Sequence, residues 1–171
     1  MPNWCNNSLE MWGPQDKIDA LIRAATGGMD TEDQDLPYGM LSYMVPVTEG
    51  SSGITCSQTQ AWGTKWDVTD AEVLRYDELD TGEASVILVF DTAWSPPIEC
   101  FEKWFAENED CNCILDYFEP GIAFVGRFTP DDGESTWEYG AATADTVRDL
   151  VPDQLVDLWE LDSMMAEMET E

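Results

Sequence analysis

Histidine is absent from this 171-residue chain, and lysine and arginine together number 7 against 36 aspartates and glutamates. The formal net charge is −29. Without histidine the commonest general base is missing, and a cysteine nucleophile lacks its usual partner. With so few cations the chain is not expected to grip nucleic acid directly, because proteins hold DNA by neutralising phosphates with lysine and arginine. The charge instead favours a basic partner, or a protein that ordinarily holds nucleic acid itself.

Other absences narrow the reading further. No stretch approaches the roughly 18–20 apolar residues of a membrane span, so no membrane partner is expected. The opening residues Met1-Pro2-Asn3-Trp4-Cys5 lack the basic segment and apolar run of a secretory leader. The five cysteines are an odd number and read as reduced thiols in the cytoplasm of a host cell. Neither G-x-G-x-x-G nor G-x-x-x-x-G-K-[ST] occurs, so no phosphate cradle is indicated. Asp131-Asp132-Gly133-Glu134 lacks the alternating oxygen ligands of a calcium loop and reads as a hairpin turn. No catalytic residue, metal or cofactor is expected, and the chain does not read as an enzyme.

What is present is an aromatic-rich body. Eight tryptophans, six phenylalanines and five tyrosines are too many for a disordered acidic tail, so the acids decorate a folded protein. Asn7 to Trp12 reads as a first strand. Asp16 to Ala25 carries Ile18, Leu21, Ile22 and Ala25 at the spacing of an amphipathic helix, which Gly27-Gly28 ends. An irregular insertion spans about residues 29–60, within which Leu41 to Val45 reads as a short strand. Ala71 to Leu79 reads as a strand, and Ala84 to Thr92 as a central strand buried on both faces. Ser95 and Pro96 are expected to start a helix as its cap and first residue, with Ile98, Phe101, Trp104 and Phe105 as the buried stripe. Strands follow at Cys113 to Phe118, Ile122 to Thr129 and around Thr136 to Tyr139. After Gly140 two acidic helical segments are expected, split by Pro152, with Leu155, Leu158, Asp162 and Met165 on one face.

This order predicts an α+β fold: a ferredoxin-like split βαβ sandwich, its antiparallel sheet carrying two helices on one face. The organisation expected is a ferredoxin-like domain over residues 1–140 and an acidic helical extension over 141–171.

Four segments carry a family resemblance: Met1-Pro2-Asn3-Trp4-Cys5-Asn6-Asn7, Trp62-Gly63-Thr64-Lys65-Trp66-Asp67, Thr92-Ala93-Trp94-Ser95-Pro96-Pro97 and Glu119-Pro120-Gly121-Ile122-Ala123-Phe124-Val125-Gly126-Arg127. Their order resembles the Api92-like proteins, which carry a YubB-type ferredoxin-like domain. The resemblance covers about residues 1–128. It implies that fold and an origin on phages, prophages or plasmids, and it brings no catalytic residues. The chain departs from the family pattern in its acidity and in the tail after Gly140.

Two candidate sites emerge. Trp62, Lys65, Trp66, Trp94 and Arg127 outline an aromatic pocket with cations, suited to a nucleotide or a peptide carboxylate. The plainer alternative is that the tryptophans cover an end of the sheet while Lys65 and Arg127 pair with Asp67, Asp91 or Glu119. The second site is acidic. Asp30, Glu32, Asp33 and Asp35 lie in the insertion. Asp145, Asp149, Asp153 and Asp157 recur every four residues in the tail, with Glu160 and Asp162 beyond them. On a helix such a row repels itself, by a few tenths of a kcal/mol per pair, unless something basic faces it. The expected function is inhibition of a basic, nucleic-acid-binding host defence protein, a nuclease or CRISPR effector, by mimicry of DNA or RNA charge. Apolar residues near Trp159 or Met164 are the expected anchors. Salt adaptation is the competing explanation of the acidity.

Overall fold

A computed structural model describes residues 1–27, 39–47 and 54–171, with only the backbone of residues 54–57. Asp30, Glu32, Asp33 and Asp35 lie outside the described residues. Six strands form one antiparallel sheet: β1 (Trp4–Pro14), β2 (Glu72–Glu78), β3 (Glu83–Ala93), β4 (Asn112–Glu119), β5 (Phe124–Thr129) and β6 (Gly133–Glu138). Their order across the sheet is β2-β3-β1-β4-β5-β6. Two helices, α1 (Gln15–Ala25) and α4 (Ile98–Glu107), follow β1 and β3 respectively. The first four strands with these helices are the ferredoxin-like split βαβ arrangement, and β5 and β6 extend it by hairpins.

The strand period of two decides what each face does. On β1, Cys5, Leu9 and Met11 are buried beneath α1 and α4, while Asn6, Ser8 and Trp12 are half-buried on the opposite face. Ile18 and Leu21 of α1 and Phe101 of α4 join the same core. β3 departs from expectation. Ala84, Val86, Leu88 and Phe90 are buried, but Ser85, Ile87 and Val89 are only half-buried and belong to neither core formed among the described residues.

Inside the insertion, residues 40–44 form helix α2 (Met40–Met44), not a strand. The cause lies far along the chain. The carboxylate of Asp67 accepts hydrogen bonds from the backbone N–H groups of Leu41 at 2.8 Å and Ser42 at 3.2 Å. That satisfies donors a helix start leaves open, and it lets Met40, Leu41 and Met44 turn into the core. A second helix, α3 (Ile54–Trp62), ends the insertion. Helix α4 also starts differently from expectation: Ser95 donates to the carbonyl of Gly63 and caps nothing, and both prolines precede the first helical residue.

The acidic tail packs on the sheet. It forms three short helices rather than two segments: α5 (Val147–Leu150), α6 (Asp153–Trp159) and α7 (Leu161–Glu169). Pro152 separates the first two, and Glu160, in the left-handed conformation at φ 49°, separates the last two. Val147, Val151, Leu155, Val156 and Leu161 make a second core with Phe118 and Val125. Phe118 and Val125 project from the side of β4 and β5 opposite α4, so the two cores sandwich that half of the sheet. The expected face of Leu155, Leu158, Asp162 and Met165 is broken at Glu160, and Leu158 is left exposed.

Candidate functional site

The four sequence segments that carry the family resemblance converge at one end of the sheet. Trp4 opposes Ala93 across β1 and β3. The Trp94 N–H donates to the Asn3 carbonyl at 2.8 Å, and the Thr64 hydroxyl donates to the Ala93 carbonyl at 2.8 Å. Asn7, fully buried, donates its side-chain amide to Thr92 Oγ1 at 2.9 Å and to the Cys5 carbonyl at 2.9 Å. Glu119, at the end of β4, is 0% exposed and accepts from the Ile122 N–H at 2.6 Å. A Cβ on Gly121 would meet the Asn3 amide nitrogen at 2.4 Å, so a larger residue there must push that side chain aside. Burial and the nearby Glu119 charge push the Cys5 thiol up to about 12, so it stays protonated and unreactive.

The outer surface of this end is aromatic. Trp4, Trp66 and Trp94 are 46%, 44% and 52% exposed. The rings of Trp4 and Trp66 lie 5.9 Å apart, tilted by 43°. Between them and the end of β3 is a cleft of about 220 Å³, lined by Trp4, Trp66, Asp67, Thr69, Asp70, Asp91, Thr92 and Ala93. Lys65 stands over Trp66 with its ammonium 5.1 Å from the ring centroid.

Of the five pocket residues expected from sequence, Lys65, Trp66 and Trp94 stand on this end, and two do not belong to its surface. Trp62 is buried in the first core and donates its indole N–H to the Val45 carbonyl at 2.8 Å. Arg127 projects from β5 beneath α6, bound to both oxygens of Asp116 at 2.7 and 2.9 Å and to Gln154 at 3.0 Å. Its partner is thus Asp116 and not Asp67, Asp91 or Glu119. Trp4 was not among the expected site residues, although it stands inside the first of the four segments.

The tail carboxylates do not form one row. Asp145 precedes α5, Asp149 lies on it, and Asp153 and Asp157 lie on α6. Arg148 gathers three carboxylates, Asp153 at 3.3 Å and Asp157 and Asp162 at 2.8 Å each. These bonds hold the Asp162 carboxyl below its ordinary value. Asp145, Asp149 and Glu160 face solvent. The expected anchors are also committed: Trp159 stacks on Phe118 at 5.5 Å, and Met164 is half-buried against the second core.

Among the described residues, no group of three or more histidine, cysteine, aspartate or glutamate side chains is arranged to hold a metal, and no helix is long and apolar enough to cross a membrane.

Strand order and helix placement define a ferredoxin-like α+β domain. The family model described as "Ferredoxin-like domain in Api92-like protein" matches residues 61–150, and the chain belongs to that family. The crystal structure of a protein Api92 from Yersinia pseudotuberculosis is similar in fold, with a TM-score of 0.53 at 13% identity, over 83% of this chain and 99% of that one. No curated protein matches the chain.

Proposed function

We propose that the protein is a phage- or plasmid-borne acidic inhibitor that binds a basic, nucleic-acid-binding host protein, of the CRISPR-effector or restriction-enzyme kind. Its carboxylates would occupy lysines and arginines that otherwise hold DNA or RNA. The observation that supports this most is the fate of the cations. Of seven basic residues, Lys17, Arg75, Arg127 and Arg148 are in ion pairs within the chain. The surface field is therefore left almost wholly negative. The acidic tail also sits on helices anchored by a buried core, so its carboxylates need little further ordering on binding.

The test is capture of partners from host lysate on the immobilised protein, with salt elution and then competition by duplex DNA. The expected result is a nuclease that salt releases and DNA displaces. Retention unchanged between about 0.05 M and 0.5 M salt contradicts mimicry, since surface charge is screened over that range.

Salt adaptation is a second reading. Its support is that exposed acids occur on every side, as at Glu72 on β2, Glu102 and Glu107 on α4, and Asp131 and Asp132 between β5 and β6. It predicts loss of the fold in dilute buffer, which a thermal melt reads directly.

A further inference from the structure

The cleft between Trp4 and Trp66 has a sign and a size. At about 220 Å³ it is smaller than the roughly 300–1,000 Å³ of pockets that take cofactors or drug-sized ligands. One side chain is the natural occupant. Its polar rim is acidic. Asp91 is oriented by the Asn6 amide, which donates to Oδ1 at 2.6 Å, and Asp70 is exposed. Neither has a cationic partner among the described residues. Asp67 is committed to capping α2. An anion is therefore repelled, and a cation is drawn in.

The two indoles choose among cations. Trp66 already carries one, since Lys65 stands over its ring without lining the cleft. A planar guanidinium stacks on an indole face and presents a fork of N–H donors that carboxylates accept in pairs, while an ammonium offers neither plane nor fork. The geometry points to this cleft as a receptor for one arginine side chain displayed by the basic partner, stacked against Trp4 and Trp66 and hydrogen-bonded to Asp91 and Asp70. The inference rests on the proposed basic partner for where that arginine comes from. It replaces Trp159 and Met164 as anchor, because a half-exposed tryptophan pair is what binding hot spots are made of.

The probe is a capped glycine-arginine-glycine peptide, titrated into the full chain while the indole N–H signals are followed by NMR. Trp4 and Trp66 should shift together, and the buried Trp62 should not, which also reports that the fold is intact. Asp91→Asn should weaken the peptide about fivefold, and Trp66→Ala should abolish the effect on Trp4. Equal shifts with a capped glycine-lysine-glycine peptide overturn the guanidinium assignment. Equal shifts with a glycine-only peptide, or no effect of Asp91→Asn, overturn the site. The two proposals fail separately. If the peptide does not bind but a basic nuclease is still captured, the cleft is wrong and the acidic-surface reading survives. If the peptide binds the cleft and no basic protein is captured, the reverse holds.

Discussion

The guanidinium of Arg127 grips both oxygens of Asp116, its directly opposite neighbour across β4 and β5, and α6 lies over the pair through Gln154. Asp116 is only 7% exposed. Removing the cation alone strands a nearly buried carboxylate. Arg127→Ala should therefore destabilise the protein by roughly 2 kcal/mol, less than a fully buried pair because the arginine itself is a third exposed. Replacing both partners by apolar residues should recover much of the loss. Denaturant melts of the single and double variants measure this. A loss of partner binding with no loss of stability would instead return Arg127 to a binding site.

Asp67 supplies a second long-range dependence. Asp67→Ala removes the cap of α2 and should cost about 1 kcal/mol. A Cβ on Gly39 would come within 2.4 Å of the Asp67 carboxyl carbon, so Gly39→Ala must push that carboxylate aside. Both substitutions break one interaction. Their costs should not add, and a double-mutant cycle should show coupling of at least about 0.5 kcal/mol. Additive costs would mean that Gly39 is constrained by something other than Asp67.

These two cases show where a sequence is legible. The spacing of Ile18, Leu21 and Ala25, and of Phe101, Trp104 and Phe105, announces α1 and α4 because their burial is local and periodic. Strand β2 announces itself by alternation and β3 by its apolar run, and together with the two helices these elements imply the ferredoxin-like sheet. Helix α2 does not, because its cap stands 26 positions downstream of Leu41. The break at Glu160 is silent for a related reason: glycine is the usual mark of a left-handed residue, and none stands there. The candidate site was half legible. Trp66 and Trp94 stand out as aromatics in the segments that also hold the rare cation Lys65, whereas Trp62 looks the same in sequence and is core. The membership of Trp4 follows only from the register that sets it opposite Ala93.

The tail tests whether the acidic segment is an appendage or a structural wall. Deleting residues 141–171 uncovers Phe118 and Val125. The shortened chain should bind a hydrophobic dye strongly and melt at lower temperature than the full chain. Within the tail, Leu155→Ala should cost about 2–4 kcal/mol, as expected for a buried leucine. A truncated chain that melts unchanged would contradict the second core.

Arg148 and Asp162 give a pH dependence with a definite sign. The folded-state carboxyl of Asp162 is held below its ordinary value, chiefly by its hydrogen bonds from Arg148. A depressed carboxyl contributes stability that is present above its unfolded value, about 3.9, and lost as pH falls through the lower folded one. The melting difference between the native chain and Asp162→Asn should thus be full at pH 6 and shrink below about pH 4. A constant difference across that range would show that the carboxylate's charge plays no part in holding α5 to α7.

Trp94 holds the most costly backbone conformation at the candidate site. Its φ is 70°, a region that bulky residues rarely enter and that costs about 1–2 kcal/mol without glycine's freedom. The conformation follows from its place. Trp94 directly follows β3, its N–H is committed to the Asn3 carbonyl, and Ser95 immediately beyond is tied to Gly63. The side chain gains little in return, being half exposed. Trp94→Gly should therefore leave the melting temperature unchanged or raise it by a few degrees, the reverse of an ordinary tryptophan deletion. If the variant is as stable as expected yet binds the captured partner several-fold more weakly, the strain serves the interface. A large loss of stability would instead make Trp94 a structural cover for the end of the sheet.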